Sequence, residues 1–334
     1  MQTFAGLMFD NTRHYLDHLA PFCALKRWPL IICEGIIVDL ARRYYPNLEI
    51  IESRLHNITF PKTLVICETK PYIESIFGQK ENCTFLWLPH GNSDKGWGEP
   101  FFHVLRDEIS LVYGQKMLDF MSAKNTSSRK IQIGNFRLKY WLENREFYDA
   151  LIAKDLPSLA NRKTYLYAPT WDDSEDNCSF WQMFPLLLQH LPTEYNLIVK
   201  LHPHTQHQFA PEIERFIGKY AHRPNIFFLS DWLPIYPLLN LCDAYIGDMS
   251  SIGYDFLYWN RPMFFLNKKR LNLQDNPSLF LHHCGHSILP EEIHSIFTEH
   301  NEIQFVPIRK AMYEYTFSPI PHSEREAQKL LSDH

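Results

Sequence analysis

What most constrains this chain is a rhythm of short apolar runs. Residues 4–9, 30–33, 48–51, 64–67, 85–88, 111–113 and 131–133 are such runs, and polar or helically patterned segments separate them. Runs of this length that do not alternate with polar residues suit strands covered on both faces, as in a parallel sheet flanked by helices. Between the first two runs, residues 15–25 bring Leu16, Leu19 and Ala20 to one helical face. Residues 154–163, polar and containing Pro157 and Ser158, interrupt the rhythm and read as a linker. It then restarts, with strands expected at 164–167, 197–201, 226–229, 244–246 and 263–266. Helices are expected at 180–190, 211–220, 235–241 and 252–259, with a terminal helix at 323–331. The expectation is an α/β protein of two successive domains, 1–153 and 164–318, followed by a terminal helix at 319–334. A cleft between two such domains would be lined by loops at the carboxyl ends of strands.

Composition narrows the function. Over 334 residues the net charge is −5 with His neutral, so no global basic field gathers nucleic acid or an anionic membrane. Only 12 residues are Gly, which excludes a glycine-rich cofactor cradle spread over many loops. No stretch reaches about 18 consecutive apolar residues, so no membrane span is expected. The opening MQTFAGLMFDNTRHYL lacks a basic stretch followed by an apolar one, which predicts a cytoplasmic protein. The seven Cys form no CxxC pair, and their number and apolar settings predict reduced, buried thiols.

Five segments carry polar residues just after an expected strand, where open α/β sheets hold ligands. In the first, His90-Gly91 precedes Asn92-Ser93-Asp94-Lys95; His90 could be a general base or a solvated turn histidine. In the second, Gly134-Asn135-Phe136-Arg137 offers a guanidinium that could fork onto a phosphate, against the plainer use of a surface arginine. The third is Tyr167-Ala168-Pro169-Thr170-Trp171, whose Thr170 could donate to a ligand oxygen or serve an ordinary turn. The fourth, Lys200-Leu201-His202-Pro203-His204, would point Lys200, His202 and His204 one way if extended, and three potential cations suit an anion. With His207 it also makes an H-x-H-x-x-H pattern that could ligate zinc, but no Cys lies near and phosphate is favoured. His282, His283 and His286 read as a polar loop. In the fifth, Gly247-Asp248-Met249-Ser250-Ser251 runs from a strand into a helix start, with Asp255 one turn on; hydroxyls and helix N–H groups there bind phosphate readily.

Together, and in this order, these segments resemble the CDP-glycerol glycerophosphotransferase family, which includes the teichoic acid primases and polymerases. The resemblance rests on His90-Gly91 with Lys95, the turn ending in Arg137, an intact Y-A-P-T-W at residues 167–171, and Lys200-Leu201-His202-Pro203. It is completed by the D-x-S-S-x-x-x-D-F block through Asp248, Ser250, Ser251, Asp255 and Phe256, followed by Arg261-Pro262. It covers about residues 85–266. Asn135-Phe136 replaces the more usual aromatic-Pro, and Met249 stands where Tyr is common.

The resemblance implies a GT-B fold of two Rossmann-like domains with parallel sheets facing across a cleft, the first on the acceptor side and the second binding nucleotide. It implies no metal and no cofactor. The implied reaction transfers a polyol phosphate from CDP-glycerol or CDP-ribitol to a hydroxyl of a glycan or lipid-linked acceptor, with release of CMP. A lipid-linked acceptor would bring a peripheral contact with the inner face of the cell membrane. On this reading His90, His202 and Asp255 are catalytic, while Lys95, Arg137, Thr170, Lys200, His204, Asp248, Ser250 and Ser251 bind substrate. A GT-B glycosyltransferase using a nucleotide-sugar and a non-catalytic GT-B-like binding protein are the alternatives.

Overall fold

The computed structural model describes residues 3–94, 109–124, 126–156, 159 and 162–317. The chain divides into two compact units. The first takes the described residues of Met1–Asn92, Gly98–Arg145 and Glu314–His334; the second takes those of Ser93–Trp97 and Glu146–Tyr313. Lys95 and the expected helix at 323–331 lie outside the described residues.

In the first unit the apolar runs become seven strands: β1 (Phe4–Met8), β2 (Leu30–Ile32), β3 (Ile50–Glu52), β4 (Thr63–Ile66), β5 (Thr84–Trp87), β6 (Ile109–Val112) and β7 (Arg129–Gln132). All pair in parallel, in the order β3-β2-β1-β4-β5-β6-β7. Leu64, Phe85 and Leu86 are fully buried, as continuous apolar strands between two helical layers must be. The Leu16–Lys26 helix lies so close to β1 that a Cβ on Gly6 would sit 2.6 Å from Cys23 Sγ. That helix stops where Arg27 turns left-handed and returns its N–H to the Ala24 carbonyl.

The second unit repeats the plan with six strands: β8 (Thr164–Tyr167), β9 (Asn196–Val199), β10 (Ile226–Phe228), β11 (Ala244–Gly247), β12 (Met263–Leu266) and β13 (His286–Ile288). Their order is β10-β9-β8-β11-β12-β13, again all parallel. The Phe180–His190 helix covers one face, with Phe184 stacked on Tyr167 at 4.7 Å between ring centroids. Each such fully buried large side chain contributes roughly 1.5–3 kcal/mol from leaving water. In both sheets the order reverses direction once, between β1 and β4 and between β8 and β11, and such switch points open a crevice at the strands' carboxyl ends.

Three expectations are corrected. Residues 252–259 are not one helix: an α-helical turn, Ile252–Phe256, tightens into the 3-10 turn Leu257–Trp259, which ends on left-handed Asn260. His282, His283 and His286 are not a polar loop. The first two lie in the 3-10 segment Pro277–Cys284, where His282 is buried against Phe265, and His286 belongs to β13. Residues 200–204 are not extended throughout, because Pro203 starts the helix Pro203–Gln208. The seven cysteines form no disulfide, and six of them are buried with Cys33 half-buried. Among the described residues no helix is long and apolar enough to cross a membrane.

Candidate active site

The switch point of the second sheet gathers three of the five segments. Asp248 leaves the end of β11 buried, and its carboxylate accepts three hydrogen bonds. Oδ1 takes the Thr170 N–H at 2.7 Å, and Oδ2 takes the Ser179 N–H at 2.9 Å and the Ser179 hydroxyl at 2.8 Å. Since Ser179 spends its hydrogen on Asp248, the Tyr167 hydroxyl donates to Ser179 Oγ, at 2.9 Å. Tyr167 and Thr170 of the Y-A-P-T-W run are therefore tied to Asp248 of the D-x-S-S run. Gly247 permits the turn, since a Cβ there would fall 2.1 Å from the Tyr245 hydroxyl, which donates to the Ala168 carbonyl.

The two serines are used differently. Ser250 is buried and hydrogen-bonds the Tyr245 phenol, whose pKa burial pushes up. Ser251 is half-buried at the N-cap of Ile252–Phe256, yet its side chain makes no capping bond. Asp255 is buried, with the Tyr236 hydroxyl donating to it at 2.8 Å.

At the end of β9, Lys200 is buried and its N–H bonds the Tyr167 carbonyl. His202 caps the Pro203–Gln208 helix: its Nδ1 accepts the His204 N–H at 3.2 Å. An imidazole that accepts at Nδ1 carries its hydrogen on Nε2 when neutral, so the other edge of His202 is a donor. The His202 and His204 rings stack at 5.3 Å, with Trp171 5.7 Å from His204 and 6.5 Å from His202. His202, His204 and Trp171 thus come together, by helix capping rather than by strand alternation.

In the first unit His90 is exposed just past β5, and Gly91 makes the turn at φ +125, a value that favours glycine. The His14 and Tyr15 rings flank the imidazole at 5.5 and 5.0 Å. Arg137 is placed in the interior of this unit, ion-paired with buried Asp17, which also accepts the Tyr45 hydroxyl at 2.8 Å. At the switch point between β1 and β4, Tyr15 and Glu68 sit beside Asp10; burial raises both the phenol and the Glu68 carboxyl.

Against known proteins, the model of the family described as CDP-glycerol:poly(glycerophosphate) glycerophosphotransferase matches residues 69–276. The chain belongs to this family. A curated relative is the teichoic acid glycerol-phosphate primase of Bacillus subtilis (strain 168), 22% identical over 249 residues. That match takes in 66% of this chain and 61% of the primase, so the chain spans less than two thirds of that relative's length. Among solved structures, a variant of the wall teichoic acid polymerase TagF superposes with a TM-score of 0.69 at 15% identity, covering 99% of this chain and 88% of that one. HepE of Anabaena, in complex with UDP and glucose, gives 0.59 at 10% identity over the full length of both. The fold is the α/β GT-B type, built of two Rossmann-like units.

Sequence reasoning missed several residues of these sites. Asp94, which belongs to the second unit, is buried and accepts the Tyr254 hydroxyl and the Leu281 N–H. Its signal was its position, four residues after His90. Ser179, Tyr15, Glu68, His18 and Tyr113 had no local signal, because their partners lie far along the chain. Among the described residues, no group of three His, Cys, Asp or Glu side chains is placed to hold a metal ion.

Proposed function

We propose that this protein transfers a polyol phosphate from CDP-glycerol or CDP-ribitol to a hydroxyl of a glycan or lipid-linked acceptor, releasing CMP. The reading is carried by the set of donors around the second sheet's switch point in a chain of this family: Ser251, the Nε2 edge of His202, and His204 with Trp171. In the proposed reaction the acceptor oxygen bonds to the β-phosphorus as the bond to the CMP oxygen breaks, with the two oxygens in line. His90 takes the hydroxyl proton, and the departing CMP keeps the bridging oxygen and its charge. His202 and the serine hydroxyls meet that charge with fixed donors, the usual means of stabilising such a transition state. Asp255 accepts from a ribose or polyol hydroxyl, and Lys200 and Lys95 add positive charge. Asp248 and Thr170 act by fixing the crevice, and Arg137 by its pairing with Asp17. A lipid-linked acceptor would bring the enzyme to the inner face of the cell membrane.

The test is CMP release across CDP-glycerol, CDP-ribitol and a panel of UDP- and CMP-sugars, with and without lipid-linked acceptors. A CDP-polyol should be the preferred donor and should raise the melting temperature most. Preference for a nucleotide-sugar would make the protein a glycosyltransferase. Failure to turn over any donor would make it a binding protein. His90→Ala should lower turnover 10²–10⁴-fold while donor-induced stabilisation persists, as loss of a general base does. A loss below about 10-fold removes the base role.

A further inference from the structure

His18 lies on the Leu16–Lys26 helix and Tyr113 just past β6, both buried and neither in any motif. The Tyr113 hydroxyl is 3.0 Å from the Pro89 carbonyl and 2.9 Å from His18 Nδ1. A carbonyl can only accept, so the phenol's single hydrogen goes to Pro89. The bond to His18 must then be donated by Nδ1–H, which fixes the imidazole's tautomer. Burial, together with Arg137, His90 and His14 nearby, holds the His18 pKa well below the usual histidine value, so the ring stays neutral. The Tyr113 ring is itself held, stacked on Phe136 at 5.6 Å and 7°.

Pro89 is the residue before His90. The 3-10 turn Arg13–Tyr15, which runs straight into the same helix, supplies the His14 and Tyr15 rings beside the His90 imidazole. One short stretch, residues 14–18, therefore grips the His90 turn twice: by ring contact at the imidazole and through Tyr113 at the preceding carbonyl.

We infer that His18 and Tyr113 are positioning residues that hold His90 in place for proton transfer. The inference rests on the reading of His90 as the base. A base displaced by an ångström forfeits much of its rate even when the fold is intact. Neither residue need touch a substrate, so their loss should lower turnover and leave donor binding alone.

The test is a double-mutant cycle on CMP release from CDP-glycerol, with a synthetic glycerol-phosphate oligomer bearing a free terminal hydroxyl as acceptor. Tyr113→Phe should lower the maximal rate about 10- to 100-fold, with stabilisation by CDP-glycerol unchanged, and should cost nothing further in His90→Ala. A loss under threefold in a folded protein, or the same loss repeated in His90→Ala, overturns the positioning role while the base stands. If His90→Ala alone costs less than about 10-fold, the base reading falls first and the positioning role with it. Should Tyr113→Phe not fold, His18→Asn, which keeps a donor, must outperform His18→Leu; equal rates overturn the inference. Nitrogen-15 spectra of the histidines give a readout apart from activity: His18 should carry its proton on Nδ1, and an Nε2–H tautomer refutes the chain.

Discussion

The two units share the order of their first six strands, the first unit adding a seventh, and they differ in what holds their motif residues. In the second unit, the aspartate, threonine and tyrosine of the motifs are buried and joined: Thr170 donates directly to Asp248, and Tyr167 reaches it through Ser179. The side chains at its rim, Ser251, His202, His204 and Trp171, are half-buried or exposed. In the first unit the motif histidine is itself at the surface, and residues outside any motif hold its turn from within. A motif therefore mixes side chains at the surface with buried ones that hold the loops in place. Burial sorts them, and spacing does not.

The largest expected effect tests that sorting at Arg137, which the motif order made a phosphate ligand and the geometry makes half of a buried ion pair with Asp17. Arg137→Leu should destabilise the protein by about 3–5 kcal/mol, because it leaves the Asp17 charge buried without its partner. Adding Asp17→Leu should recover most of this, since an apolar pair can replace a buried ionic one. Urea denaturation at pH 7 measures both. Unchanged stability with weakened donor affinity would return Arg137 to the phosphate.

Asp248 and Ser251 sharpen the comparison within one loop. Asp248→Ala removes the acceptor for three buried donors and should cost about 3 kcal/mol of stability, at about 1 kcal/mol per orphaned group, the low end of the range because Ser179 can turn its hydroxyl to Tyr167. Ser251→Ala, three residues on, should change stability by less than about 0.5 kcal/mol, as surface substitutions do. It should instead weaken donor binding about 10-fold, the worth of one hydrogen bond to a charged oxygen. Calorimetry with and without CDP-glycerol separates the two; equal destabilisation would erase the distinction between holder and ligand-facing residue.

Most of this fold was legible because its strands are unbroken apolar runs: residues 164–167 and 263–266 coincide with β8 and β12 to the residue. The strand that escaped, β13, has two polar residues in three. His286 earns its place there by stacking on Phe264 and bonding Glu302 at 2.9 Å, contacts that local pattern does not encode. The site was legible in part for the same reason. His202 and Asp248 follow apolar runs and could be found, whereas Ser179, Asp94 and Tyr113 matter through partners as far as 69, 187 and 95 positions away. The alternation of Lys200, His202 and His204 failed because β9 already ends at Val199 and a proline at the first helical position turns the chain into a helix from residue 203.

A further effect concerns a histidine that each unit buries in neutral form. His282 of the second unit, stacked on Phe265, has its pKa driven down to about 3 by burial and then by neighbouring His283; His18 of the first unit is lowered likewise. In the unfolded chain each would titrate near 6.5. Between about pH 6.5 and pH 3, therefore, the unfolded state binds a proton that folded His282 refuses. The stability this gives is fully present above pH 6.5 and is lost as pH falls. Going from pH 7 to pH 5, above the range where carboxylates such as Glu302 titrate, His282 should account for about 2 kcal/mol of lost stability. His282→Asn, which cannot titrate, should be less stable than the parent at pH 7 and should lose about 2 kcal/mol less on going to pH 5. Urea midpoints at the two pH values measure the difference. Parallel acid losses in parent and variant would mean that His282 is protonated within the folded unit, and that the first unit alone carries a buried neutral histidine.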